Sequence, residues 1–212
     1  MSKTENINWS QLFEERKRVY NKFGPIWRIP IAKRYIAVME SFVKDGMAVL
    51  ELGGGQRQLE KKLQKLFHSI TYRSFDIDGT NYHDYYQLDE IDGKYNIACM
   101  IEVIEHVRPE EALLMLNKIH EVLEDDGLAI LTTPNTYYPP EYLRDATHIT
   151  PWCFDEMGAI TQLAGFEVIN IYRLFSGNLK KKLLHRVLFY PVHKVLEIDF
   201  AKHILIVAKK KS

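Results

Sequence analysis

A run of glycines stands between an acid and a helix-forming stretch at Glu51-Leu52-Gly53-Gly54-Gly55-Gln56-Arg57. Glycines let a backbone approach a ligand closely and adopt positive φ. Two carboxylates follow at Asp76 and Asp78. An acid at the tip of the next strand, about two dozen residues beyond such a turn, can accept both hydroxyls of a ribose. Further on come Glu102-Val103-Ile104-Glu105-His106 and then Arg144-Asp145-Ala146-Thr147-His148. Histidine is the usual base near neutral pH, which makes His106 and His148 the candidates for removing a proton from an acceptor. These residue types suit a nucleotide-type ligand with an acceptor bound beside it.

The glycine turn narrows the ligand. A dinucleotide site needs G-x-G-x-x-G to seat a pyrophosphate over a helix N-terminus. Here Gln58 stands where the third glycine belongs, and Glu51 precedes the run. A carboxylate there repels a pyrophosphate but suits a cofactor carrying an ammonium and a sulfonium group. A nicotinamide-dependent dehydrogenase is therefore the weaker alternative.

The elements that must position these residues follow from periodicity. Trp9 to Tyr20 and Ile31 to Val43 have helical spacing and are separated by Gly24-Pro25. From Met47 onward short apolar runs alternate with helical ones. Strands are expected at 47–52, 70–75, 97–101, 128–133, 166–174 and 203–209, with helices at 59–67, 109–123, 154–164 and, interrupted by Pro191, 179–196. Gly127 reads as the end of the 109–123 helix. This rhythm implies βαβ units and a doubly wound, Rossmann-like α/β fold with a mostly parallel sheet of about seven strands. The expected organisation is an N-terminal helical extension over 1–45, packed on a domain over 46–212 that carries a helical insertion near 179–196.

Several segments in this order resemble the class I S-adenosylmethionine-dependent methyltransferases, over roughly Met47 to Leu174. The acid before G-x-G resembles motif I. The strand leaving into Glu102-Val103-Ile104-Glu105-His106-Val107, followed by Pro109 and a helix, resembles motif IV of small-molecule members, including quinone-pathway and sugar-modifying ones. The strand ending in Thr133-Pro134-Asn135 matches the one that follows it, and Arg144 to His148 resembles an R-D-x-T-H pattern associated with bacterial surface glycans.

The resemblance implies S-adenosylmethionine as cofactor. Glu51 would lie near its amino-acid end, with Gly53, Gly54 and Gly55 lining its backbone and Asp76 on the ribose with Asp78 close by. Asp84 would reach the adenine amine, and the backbone around Ile101 and Glu102 would border the adenosyl group. Glu105-His106 would face the reaction centre. The loop after Asn135 would form part of the acceptor pocket, with Tyr137, Arg144 and Asp145 touching substrate and His148 serving as base or acceptor ligand. Arg57 departs from the pattern, because many members carry a glycine there. The implied reaction is methyl transfer, on oxygen, to a small-molecule or glycan-type acceptor. A quinone or other lipid-linked acceptor is the alternative, as is a non-catalytic protein that binds the adenosyl ligand.

Composition bounds the rest. The chain has 212 residues, enough for one domain with a full core, and 28 basic residues balance 28 acidic ones, so no global basic surface invites nucleic acid. Its two cysteines, Cys99 and Cys153, lack metal-ligand spacing, and no arrangement of acids suggests a metal site. The polar N-terminus and the lack of a long apolar run lead us to expect a cytoplasmic protein. The stretch 179–190 mixes a basic cluster with large apolar residues; it either packs on the sheet or lies on an anionic membrane surface.

Overall fold

The computed structural model describes residues 7–177 and 179–211, apart from the side chains of 179 and 181–183. Its strands are β1 (Ile31–Ala32), β2 (Ala48–Leu52), β3 (Thr71–Phe75), β4 (Tyr95–Ile101), β5 (Leu123–Pro134), β6 (Phe166–Leu174) and β7 (His203–Lys210). Its helices are α1 (Trp9–Phe23), α2 (Tyr35–Met39), α3 (Gln58–Leu66), α4 (Pro109–Val122), α5 (Pro139–Leu143), α6 (Phe154–Leu163) and α7 (Leu179–Leu196).

The strands form one sheet in the order β3-β2-β4-β5-β7-β6-β1, parallel except for β7, which runs antiparallel between β5 and β6. This is a doubly wound, Rossmann-like α/β fold with a seven-stranded, mostly parallel sheet, as the alternation of strands and helices implied. Side chains alternate along each strand. Leu50, Leu52, Ala98, Met100 and Leu131 pack on one side with α4 and α6. Val49, Ile97, Cys99, Ile130 and Val207 pack on the other with α2 and α3. Both faces are apolar because both are covered, as parallel sheets require.

Three elements depart from the sequence reading. The stretch 31–43 is not one helix: Ile31 and Ala32 pair in parallel with Arg173 and Leu174, so the N-terminal segment supplies an edge strand before α2 begins. The apolar spacing there serves a strand and a short helix in succession, which periodicity over so few residues cannot separate. Gly127 does not end α4. The helix stops at Val122, and Gly127 lies inside β5 at a bend where an added Cβ would meet the Glu124 carbonyl at 2.8 Å. Pro191 lies inside α7, which runs through it.

The N-terminal segment is bound tightly. α1 packs on α6 so closely that a Cβ on Gly158 would stand 2.9 Å from Val19 Cγ1, and Arg16 pairs with Asp155 at 2.8 Å. Arg173 and Asp199, essentially without solvent exposure, pair at 2.8 Å. The Arg173 guanidinium also donates to the carbonyls of Ile29 and Trp27, and Asp199 accepts from the Asn135 side chain at 2.9 Å. One buried ion pair thus joins the N-terminal segment, β6, the chain after α7 and the exit of β5. No helix among the described residues is long and apolar enough to cross a membrane.

Candidate functional site

In a sheet of this kind the ligand crevice lies beyond the carboxyl ends of the strands, where the winding reverses. Here that place is between β2 and β4, and the glycine turn and the β4 exit meet there. Gly53 has φ +77, and a Cβ on it would run into Val103. A Cβ on Gly54 would meet Ser74 Cβ at 2.9 Å. Around Gly55, at φ +46, nothing lies within 4 Å of a Cβ position, so the tip of the turn stands open. The Gly55 N–H donates to Asp76 Oδ2 at 2.8 Å, and the Asp78 N–H to Asp76 Oδ1 at 3.0 Å. A carboxylate has about four lone-pair sites, so Asp76 keeps acceptor capacity toward the crevice. Asp78 is exposed and caps its own turn through Thr80.

Arg57 explains its own departure from the glycine pattern. Its φ is +52, the left-handed conformation that glycine adopts without strain. The guanidinium offsets that strain with partners: Glu60 at 2.8 Å, Ser74 Oγ at 3.1 Å and Asp84 at 3.2 Å, with the Tyr72 and Tyr82 rings to either side. Asp84 also pairs with Arg73 at 2.5 Å and accepts the Ser74 N–H at 3.0 Å. These partners hold its carboxyl below the ordinary range despite partial burial. Asp84 thus anchors the base of the glycine turn through both oxygens, Oδ2 accepting from Arg57 and the Ser74 N–H and Oδ1 from Arg73.

Glu51 lies beneath the same turn. It sits on the α3 side of the sheet, 5% exposed, where it accepts the Tyr72 hydroxyl. Burial pushes its carboxyl up to about 7 against the opposing pull of Tyr72, Lys62 and Arg57. It underlies the turn and does not project from it.

At the β4 exit Ile101 is half-buried and pairs with Thr132, and Glu102 takes φ +57. The Glu102 N–H donates to Thr132 Oγ1 at 3.0 Å, and its carboxylate accepts from Thr132 at 2.6 Å and pairs with His203 Nδ1 at 2.8 Å. Burial works against a charged His203, yet Glu102 outweighs it and raises the imidazole above its ordinary value. No local signal in the sequence marked His203.

One turn later Glu105 is fully buried. Its Oε2 accepts from Thr133 at 3.2 Å, and Oε1 has no hydrogen-bond partner. Burial, then the nearby charge of Glu102, pushes the carboxyl up to about 8. The loop after β5 folds back onto this turn. The N–H groups of Ile149 and Thr150 donate to the Glu105 carbonyl at 2.9 and 3.0 Å, and Trp152 Nε1 donates to the Ile104 carbonyl at 2.9 Å. This stitching brings His148 Nε2 to 4.0 Å from Glu105 Oε1 and its ring to 4.7 Å from that of His106. A carbonyl only accepts, so the Tyr142 carbonyl at 2.7 Å puts the proton of a neutral His148 on Nδ1 and leaves a lone pair at Nε2 facing Glu105. The two histidines proposed from sequence are thus brought together, and Glu105, expected with His106 at the reaction centre, is the buried acid beside them.

Of the three expected substrate residues, two lie elsewhere. Tyr137 turns inward, its ring 6.2 Å from that of Phe154, because the β5 exit draws its carbonyl to the Asp199 N–H. Tyr142 stacks beside His148 instead, with centroids 5.1 Å apart. Arg144 pairs with Glu141 at 3.0 Å, out in solvent. Asp145 closes a turn on Thr147 and stays at the site, its Oδ2 4.0 Å from His148 Nε2, as far as Glu105 Oε1.

A cavity of about 680 Å³ opens on the α2–α3 side, between α3 and α7. Leu174, Phe175, Phe189 and Phe200 form its apolar lining. Its cations are Lys33, Arg34, Lys62, Lys65 and Lys202, against one acid, Glu40. His203, paired with Glu102, joins it to the β4 exit.

Among curated proteins none matches the chain. Solved structures that share its fold include a S-adenosylmethionine-dependent methyltransferase from Archaeoglobus fulgidus, with 17% identity, TM-score 0.64, and 96% of this chain and 100% of that one covered. Another is a TehB-like methyltransferase from Corynebacterium glutamicum, with 14% identity, TM-score 0.58 and coverage of 95% and 98%. A third is the magnesium protoporphyrin IX methyltransferase of Synechocystis with bound S-adenosylhomocysteine, with 12% identity, TM-score 0.57 and coverage of 98% and 90%. Residues 27–171 match the family described as "Methyltransferase domain". The chain belongs to that family and is a methyltransferase of the S-adenosylmethionine-dependent class I fold.

Proposed function

We propose that this enzyme transfers a methyl group from S-adenosylmethionine to a hydroxyl oxygen of a small-molecule or glycan-type acceptor. The cofactor supplies an electrophilic methyl group on its sulfonium. Gly53, Gly54 and Gly55 line its backbone side, Asp76 takes the ribose hydroxyls, and Ile101 and Glu102 border the adenosyl group. The reading of oxygen as the methylated atom rests on one observation, the His148 Nε2 lone pair facing the unpartnered Glu105 Oε1 at 4.0 Å. A hydroxyl entering between them donates its O–H to Nε2, and the pair holds it in line and draws off its proton. Positioning and proton removal are the two contributions the chain itself can make to such a displacement.

His148→Gln tests this. Methyl transfer to hydroxylated acceptors should fall by roughly 10²–10⁴-fold, the usual worth of a positioned base. S-adenosylhomocysteine should bind as before. Unchanged turnover in the variant would remove the assignment.

A second reading, a lipid-linked acceptor, is favoured by α7 and the cavity beneath it. Between residues 179 and 196 there is no acid, and Leu184, Val187, Leu188, Val195 and Leu196 are more than half exposed. Such a helix suits an anionic bilayer surface, and the cavity's apolar lining and cationic rim suit an acceptor with a lipid tail and an anionic group. Flotation with vesicles containing anionic lipid tests it; a chain that stays with the soluble fraction removes the membrane reading.

A further inference from the structure

We propose that Glu105, His106 and His148 bind one divalent cation of the zinc type at the place where the acceptor hydroxyl enters. The role given to the cation rests on that reading of the acceptor site, whereas its binding stands on the cluster alone. One oxygen of Glu105 and one ring nitrogen from each histidine lie within 4.8 Å of one another. Glu105 Oε1 is fully buried without a partner, which is costly for a carboxylate oxygen unless something positive completes it.

Neither neighbouring histidine offers it a proton when neutral. The Tyr142 carbonyl holds the His148 proton on Nδ1. At His106, Nδ1 lies 3.2 Å from the Thr147 carbonyl and 2.9 Å from Thr147 Oγ1. That hydroxyl gives its own hydrogen to Asp145 at 2.7 Å, so Nδ1 of His106 is the donor here too, and its Nε2 is bare. Histidines whose Nδ1–H is fixed by a backbone carbonyl, with Nε2 left free, are oriented as metal ligands usually are.

The separation of 4.0 Å between His148 Nε2 and Glu105 Oε1 is too long for a hydrogen bond. Tetrahedral ligands about 2.1 Å from one ion stand roughly 3.4 Å apart, so a closure of about half an ångström seats a cation between the two. Two imidazoles and one carboxylate favour zinc, cobalt or manganese over calcium and leave a coordination position open. With the cation bound, His148 Nε2 would be a ligand and no longer the base; an acceptor hydroxyl in the open position would ionise more readily and give its proton to water. The sequence gives no hint of this set, because the ligands come from two segments about forty residues apart that meet only through the Ile149 and Thr150 bonds to Glu105.

The test uses the full chain, free of any tag and stripped with chelator. Calorimetry with Zn²⁺ should show one equivalent bound, and Co²⁺ should give a visible d–d absorption. His148→Gln and Glu105→Gln should each weaken binding by roughly 100-fold or more, since even partners of metal ligands cost up to that much. If Glu105→Gln fails to fold, His106→Gln carries the same comparison. Wild type that takes up no Zn²⁺, Mn²⁺ or Co²⁺, or variants that bind as tightly as wild type, would overturn the site. Titration with S-adenosylhomocysteine reads the methyltransferase assignment separately: the nucleoside binding while no cation binds overturns this proposal and leaves that one standing.

Discussion

The Arg57 guanidinium lies 3.2 Å from Asp84 Oδ2, across the base of the glycine turn. Arg57 pays with a left-handed backbone to make that contact, which ties α3 to the loop after β3. Arg57→Ala keeps the strained φ and loses the ion pair, whereas Arg57→Gly loses the pair but relieves the strain. Because Arg73 still neutralises Asp84, the alanine variant should lose about 2 kcal/mol of stability. The glycine variant should be about 1 kcal/mol more stable than the alanine one, the cost of αL for an L-residue. Urea denaturation of both checks the order; a glycine variant less stable than the alanine one would contradict it.

Gly53→Ala forces a methyl group into Val103 at φ +77. The glycine turn and the β4 exit must then separate, so S-adenosylhomocysteine affinity should fall at least tenfold, about 1.4 kcal/mol. Gly55→Ala, at φ +46 in open space, meets no neighbour and should lose less. Calorimetric titration of the two variants tests the ranking.

Glu51 predicts a pH dependence of stability. Burial raises its folded carboxyl from 4.5 to about 7. The unfolded chain therefore gives up this proton first as pH rises. The stabilisation from the neutral form is complete below pH 4.5 and is lost as pH climbs through 7. The total is about 3 kcal/mol at 1.36 kcal/mol per pH unit. Glu51→Gln does not titrate and still accepts the Tyr72 hydroxyl. It should gain on wild type between about pH 4.5 and about pH 7 in paired denaturation curves; a constant difference would refute the assignment.

Asp199→Ala removes the counter-charge of a guanidinium with no solvent exposure. Breaking a buried pair in this way costs about 3–5 kcal/mol. The loss should appear first in the N-terminal segment that Arg173 holds, as faster amide exchange at Ile29 to Ala32.

Repeating local patterns made the parallel core legible without coordinates. Alternating apolar runs marked β2 to β7, glycines marked the turn after β2, and Asp76 stood one residue past the end of β3. Each depends on residues close in sequence, whose spacing is itself the physical constraint. Two-residue β1 was not legible, because a short apolar run fits strand and helix alike.

What the sequence determined by itself was the class of the sheet, the glycine turn and the two histidines as types suited to proton chemistry. Tertiary structure alone decided what the charged residues do. It turned Glu51 under the turn toward Tyr72, tied Asp84 to Arg57 and Arg73, and packed Tyr137 against the edge of the core beside Phe154. It also set His148 against a buried, unpartnered Glu105. The physical reason is that a charge acts through its burial and its partners, and both are supplied by segments far away in the chain.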